Sequence, residues 1–366
     1  MQTYLDNTQL HFAGQQGETS IYRLEGGNLS GHYYVISNPG TRNLLASPEV
    51  VGYDSYLAML APTTDMLSFL KGSMSFCSGV HILNILRGGL NYPLEESCYR
   101  NQIMISDMDF ISCERVIESN RITGLDIRYS KLSTPHDSTL MIGDIICSGE
   151  TLVRCMKYVI NEYKRKGGAF KRLVFFTVGG TRAIELLEEL SAEFKAMCPQ
   201  FEGITCIFYE GIFCAYQDKG ISGISWPDID FFWNGGVISP DFRSYVLKDD
   251  DALFEKCIIY DGGARRYNIP EHIHEVTEYW EDILRVCSNF PFRAFLEEKL
   301  GYSILTGYDE WLASNHYTDI DPSVSRELFE LEQQFIKKNE NASLSVIARR
   351  RLTEFREAMN IYTANN

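Results

Sequence analysis

Apolar positions in the middle of the chain fall into two kinds of pattern. Residues 80–86, VHILNIL, form a continuous apolar β-type run that ends abruptly at Arg87-Gly88-Gly89. Residues 139–146, TLMIGDII, form another, followed by Cys147-Ser148-Gly149-Glu150-Thr151. The next stretch, LVRCMKYVINEYKRKGG, sets Leu152, Cys155, Met156, Val159 and Ile160 at helical spacing. Gly167-Gly168 behind a basic last turn predicts where that helix stops. A strand over RLVFFTV (172–178), a Gly179-Gly180 turn, a helix through AIELLEELSAEFKAM and a strand over ITCIFYEG (204–211) continue the alternation. Strands apolar on both faces, separated by amphipathic helices, predict an α/β fold whose mostly parallel sheet is flanked by helices.

The flanks read differently. Residues 1–52 hold short β segments, QLHFA, SIYRL and HYYVIS, broken by Gly, Asn and Pro, and are expected to form a β-rich hood segment. The α/β core is expected over 53–216. Residues 217–366 are expected to supply a further hood and a helical C-terminal region. There, 217–260 is rich in Gly and Asp, and helices are predicted near Pro270 and at Pro322-Ser323. No internal repeat or low-complexity linker marks the boundaries.

Composition narrows the classes of function. The 366 residues carry 34 Lys+Arg against 49 Asp+Glu, a net charge of −15, which argues against bulk nucleic acid as the main ligand. No apolar run approaches the roughly 18 residues of a membrane helix. The start, MQTYLDNTQLHFAGQQGE, has neither the basic segment nor the apolar stretch of a secretory leader, so a soluble, cytoplasmic protein is expected. The 10 cysteines form no CxxC pair and no Cys–His set at zinc spacing, and several lie in apolar runs where Cys acts as a small buried hydrophobe.

The segment with the most chemistry is 139–152. A buried strand delivers Asp144 near its end, and a tight turn holds Ser148-Gly149-Glu150-Thr151 where a helix begins. Such a turn aims backbone N–H groups and two hydroxyls at one spot, backed by the positive end of the helix dipole, as a phosphate cradle does. Asp144 could then meet a ribose hydroxyl or a magnesium ion. The plain alternative, evenly balanced on local physics, makes Ser148 a helix N-cap and Asp144 a strand-end carboxylate. A second strand–turn–helix, ILNILRGGLNYPLEES (82–97), offers Gly88 and Gly89 for close backbone approach and Arg87 as countercharge, or is an ordinary glycine turn.

Other signals are weaker. VGGTRA (178–183) and YDGGARR (260–266) follow strands but lack the P-loop Lys and the dinucleotide spacing, so Arg265-Arg266 reads better as a surface turn than as a substrate contact. His272 and His274 sit two apart and cannot share a helix face, so no metal site is expected there. WPDIDFFWNGG (226–236) holds aromatics that could stack on a base or simply pack.

TLMIGDIICSGETL resembles the phosphoribosyl-pyrophosphate (PRPP) signature of the type I phosphoribosyltransferase family: an apolar strand, acidic residues, then Thr/Ser-Gly-x-Thr and a helix. The resemblance implies a type I phosphoribosyltransferase-like core. It places Ser148, Gly149, Glu150 and Thr151 on the ribose 5′-phosphate, Asp144 on the ribose hydroxyls, and Arg87, Gly88 and Gly89 on the pyrophosphate. It also implies a flexible loop between QIMISDMDFISC (102–113) and GLDIRYSKL (124–132), where Arg121, Arg128 and Lys131 are candidate phosphate contacts or simply the charges of a solvated hairpin. The implied reaction, in nucleotide metabolism, transfers the 5-phosphoribosyl group to a nitrogen acceptor, a nucleobase by preference, with Mg2+ assisting and pyrophosphate leaving. Asp144 and Arg87 are its candidate catalytic residues, and a homodimer is compatible with it. Two positions depart from the pattern. Gly143 replaces the first acid of the usual pair, and Cys147 stands where hypoxanthine-type relatives often carry an aspartate base. These departures keep open a protein that senses PRPP or a nucleotide without turnover, and a scaffold built on the same core. A methyltransferase is disfavoured, because Ile-Ile-Cys rather than glycines follows Asp144.

Overall fold

The computed structural model describes residues 4–76, 78–118, 121–215, 231–249, 252–255, 264–287, 292–301 and 303–363. The strands are β1 (Thr8–Gln16), β2 (Thr19–Gly26), β3 (His32–Ser37), β4 (Val80–Leu86), β5 (Ile105–Glu118), β6 (Arg121–Lys131), β7 (Ser138–Gly143), β8 (Phe170–Gly180), β9 (Gly203–Ala215) and β10 (Phe231–Ile238). They form one sheet in the order β1-β2-β3-β9-β8-β7-β4-β5-β6, with β10 paired to β9. The run from β3 through β9, β8, β7 and β4 to β5 is parallel throughout. Antiparallel pairs close both ends. Residues 1–52, expected as a hood segment, therefore contribute strands to the core sheet itself, because β3 bonds in parallel to β9.

The helices are α1 (Pro39–Ala46), α2 (Tyr53–Lys71), α3 (Leu94–Arg100), α4 (Glu150–Lys166), α5 (Thr181–Met197), α6 (Pro240–Val246), α7 (Ala264–Tyr267), α8 (Ile269–Val286), α9 (Phe292–Leu300), α10 (Tyr308–Ser314), α11 (Pro322–Asn339) and α12 (Leu344–Thr363). The apolar runs of the central strands are continuous because both sheet faces are covered. Ile82, Met141, Val174 and Ile207 pack on one side with α2, α3, α8 and α12, while Leu83, Ile142, Phe175 and Phe208 pack on the other with α4 and α5. Helix α4 buries Leu152, Cys155, Met156, Val159 and Ile160, the predicted stripe, together with Tyr163. Gly167 ends it in the left-handed conformation at φ 73°.

Buried polar contacts hold the helical C-terminal region together and join it to the segment after α1. Arg243 pairs with Glu332 at 2.6 Å, both fully buried, and Arg351 of α12 bridges Glu49 and Glu255. His272, buried on α8, donates from Nε2 to the Pro48 carbonyl at 2.8 Å, while His274 faces solvent, so the pair makes no metal site. None of the eight described cysteines is disulfide-bonded. Among the described residues no helix is long and apolar enough to cross a membrane.

Candidate functional site

Strand order creates a crevice at one place. From β4 the chain passes through α3 to β5 on one side, then returns through β6 to lay β7 on the other side of β4 and continues to β8 and β9. The loops leaving β4 and β7 therefore diverge above adjacent parallel strands, and this switch point is where open α/β sheets bind ligands. The two loops are the ones that carry Arg87-Gly88-Gly89 and Asp144 to Thr151. The β5–β6 hairpin borders the same edge. Strand β4 pairs with β5 only as far as Leu86 opposite Ser112, so the remainder of both hairpin strands projects past the ends of β4 and β7.

The two loops touch. Asp144 follows β7 directly and is buried, and its Oδ1 accepts the Ile145 N–H at 2.9 Å. Burial pushes its carboxyl up to about 7, against the opposing pull of that N–H. A Cβ on Gly88 would fall inside contact distance of the same Oδ1, so only glycine lets this loop lie on the carboxylate. Gly89 is also close-set, though less tightly: a Cβ there would sit 3.2 Å from the Gly143 carbonyl and 3.3 Å from Asn84 Cα. Residues 88–91 form a short 3-10 turn begun by the exposed Arg87, and the Leu86–Arg87 peptide is cis.

Gly143 has a physical explanation. A Cβ there would collide with Cβ and Cγ of Tyr92, whose ring occupies the space an acidic side chain would need. Tyr92 is fully held: its hydroxyl accepts the Val178 N–H at 3.0 Å, and burial drives its pKa well above the ordinary phenol value. Nothing in the spacing of Asn91-Tyr92-Pro93 signals this, because the tyrosine arrives from the far end of the β4 loop. Cys147, at the other departure, is buried in the apolar core on the α2 and α3 side of the sheet.

Residues 148–151 span the turn from β7 into the start of α4. Gly149 takes the left-handed conformation at φ 74° and is the N-cap of α4, with no side chain capping the helix. Ser148 is thus outside the helix and does not cap it, which removes the plain reading of that serine. Ser148 and Glu150 are exposed and Thr151 is half-buried. A Cβ on Gly149 would run into Leu186 of α5. The VGGTRA turn is part of this same edge, since Gly180 donates to the Ile146 carbonyl at 2.9 Å and Ile146 bridges to Gly179.

The remaining candidates separate. Arg128 pairs with Glu114 across the exposed hairpin at 3.1 Å, and Lys131 is exposed near its base. The Arg121 side chain and residues 226–230 and 260–263 lie outside the described residues. Trp233, from the aromatic segment, packs inward with the Arg243 guanidinium 4.8 Å above its ring. Arg265, expected at a surface turn, is instead buried and bonded to the Val50 and Ser47 carbonyls. Lys and Arg side chains can cover such internal carbonyls because their stems are apolar.

The described residues do not fit a protein-held Mg2+. No group of three His, Cys, Asp or Glu side chains among them could hold a metal, and Asp144, the carboxylate of the crevice, is covered by Gly88. Hard cations need several oxygen ligands at once.

No family model matches the chain, and no curated protein matches it. Among solved structures it is similar to the AQ2163 protein of Aquifex aeolicus, at 15% identity over 52% of this chain and 95% of that one, with a TM-score of 0.35. It is also similar to a hypoxanthine phosphoribosyltransferase of Staphylococcus aureus, at 11% identity over 44% and 77%, TM-score 0.26. An adenine phosphoribosyltransferase of Trypanosoma brucei gives 13% identity over 49% and 84%, TM-score 0.29. Similarity this low carries no weight for function.

Proposed function

We propose that the protein is a phosphoribosyltransferase-like protein that binds PRPP across the β4/β7 crevice and transfers its 5-phosphoribosyl group to a nitrogen acceptor, a nucleobase by preference. The observation that carries this reading is the contact of the two loops at the switch point, Gly88 lying directly on the Asp144 carboxylate. In this reading the turn at 148–151 holds the 5′-phosphate by backbone N–H groups and the Ser148 and Thr151 hydroxyls. Asp144 accepts from the ribose hydroxyls once Gly88 shifts. Arg87 and the N–H groups of Gly88 and Gly89 hold the pyrophosphate. The acceptor nitrogen bonds to ribose C1, the C1–oxygen bond breaks, pyrophosphate leaves with the electron pair, and the acceptor's proton passes to solvent. Catalysis is then positional and electrostatic.

A second reading, binding without turnover, is favoured by Tyr92 standing where the first acid would be. Calorimetric titration of PRPP, with and without Mg2+, tests both. Binding that disappears in Ser148→Ala/Thr151→Val supports the site, and pyrophosphate release with a nucleobase panel separates transfer from sensing. Asp144→Asn should fold and lose PRPP affinity; unchanged affinity would remove Asp144 from the site. No binding at millimolar PRPP would end both readings.

A further inference from the structure

The β4 loop is held from outside the core. Arg266 of α7 donates to the carbonyl of Leu90, within the turn that lays Gly88 and Gly89 on Asp144 and Gly143. Its guanidinium lies 4.4 Å from the Tyr56 ring centre and 4.9 Å from that of Tyr267. Tyr56 in turn stacks on Tyr53, with centres 5.4 Å apart and planes 21° from parallel. Tyr53, Tyr56, Arg266 and Tyr267 thus form one cation–aromatic cluster beside the crevice. Its base is fixed, because the adjoining Arg265 is buried on the Val50 and Ser47 carbonyls and accepts the Gly52 N–H at 2.9 Å through its own carbonyl. Helix α7 is thereby locked to the segment that enters α2, and among the described residues the Arg266 guanidinium has one hydrogen-bond partner, the Leu90 carbonyl.

We infer that Arg266 is a positioning residue for the pyrophosphate loop, setting the height of Gly88 and Gly89 above Asp144, with the tyrosines holding its guanidinium plane. This rests on the proposed PRPP-binding reading. A guanidinium held against aromatic rings has little freedom, so the carbonyl it grips is fixed relative to α2. The pyrophosphate half of a ligand meets this loop, whereas the 5′-phosphate half meets the 148–151 turn. Arg266 should therefore affect one half only.

The test compares PRPP with ribose 5-phosphate on the full chain. In Arg266→Ala, PRPP affinity should fall about tenfold, the size of one charge-assisted hydrogen bond, while ribose 5-phosphate affinity stays within about twofold. Arg266→Lys, which can reach the carbonyl but cannot stack as a plane, should lie between, and Tyr56→Leu should follow it. Hydrogen exchange at residues 88–91 should be faster in Arg266→Ala than in the parent. Equal losses for both ligands would mean a merely structural role, and an unchanged PRPP affinity, or unchanged exchange, would overturn the assignment. A parent protein that binds neither ligand would instead overturn the PRPP reading and this inference with it. If the alanine variant fails to fold, the lysine and Tyr56→Leu variants decide by the same ratio of affinities.

Discussion

Two buried carboxylates stand at the same edge of the sheet and have opposite surroundings. Glu210, on β9, is fully buried, and its carboxylate accepts from the Asn38 N–H at 2.9 Å and from the hydroxyls of Ser37, Thr41 and Ser239. It thereby fastens the turn from β3 into α1 to β9, while Asn38 itself caps α1. Asp144, on the neighbouring run of strands, is nearly as buried but accepts one hydrogen bond among the described residues. Burial pushes both up to about 7. Desolvation alone thus does not distinguish the two carboxylates. The number of satisfied lone pairs does, since a buried carboxylate kept short of donors is a cost that folding does not recover.

That contrast can be broken most directly by truncation. Glu210→Ala strips the acceptor from a backbone N–H and three hydroxyls and should cost roughly 3–4 kcal/mol in urea unfolding, whereas Asp144→Ala should cost about 1 kcal/mol or less. Equal costs would show Asp144 to be structural as well. Next in size is Gly143→Asp, which drives a side chain into Tyr92 and should destabilise by roughly 1–3 kcal/mol, with part of that loss relieved when Tyr92→Ala is added. An unshifted melting curve for the single variant would mean that Tyr92 does not own that space.

A pH series sharpens the comparison further. Both carboxyls hold their proton to about 7 in the folded chain against an ordinary value near 4, so the folded state binds more protons across that window. The stabilisation linked to those protons is complete below about pH 4 and is lost as the pH rises through about 7. Stability should therefore decline from pH 5 to pH 8, and less steeply in Asp144→Asn; an identical slope would contradict the raised value. Thr151→Val should weaken PRPP binding by several-fold, as loss of one hydroxyl contact implies, with little change in stability. Smallest of all, Arg128→Ala should alter stability by less than about 1 kcal/mol and PRPP affinity not at all, because its partner Glu114 is exposed with it. A clear loss of PRPP affinity there would restore Arg128 as a ligand contact.

Much of the core was legible because its signal is local. The apolar runs of β4, β7, β8 and β9 and the stripe of α4 follow from which residues must avoid water on both sheet faces. The turn at 148–151 was legible as well, since Gly149 takes a backbone conformation that favours glycine and a helix starts there at once. What resisted reading was every feature built by residues distant in the chain. Arg265 and Arg266 looked like a surface turn from their neighbours, yet their partners are Ser47, Val50 and Leu90. Glu210 looked like the end of an apolar strand, and its partners Ser37, Asn38 and Thr41 lie at or just after the end of β3, a neighbour of β9 in the sheet that lies far from it in the chain.

The sequence by itself determined the elements, their alternation and the two glycine turns, because hydrophobic period and backbone freedom are properties of adjacent residues. Tertiary structure alone decided that these turns meet, that Tyr92 fills the space beside Gly143, and that Asp144 rather than Glu210 is left short of donors. Each of those facts depends on which strand lies next to which, and strand order is set by long-range packing that no local spacing encodes.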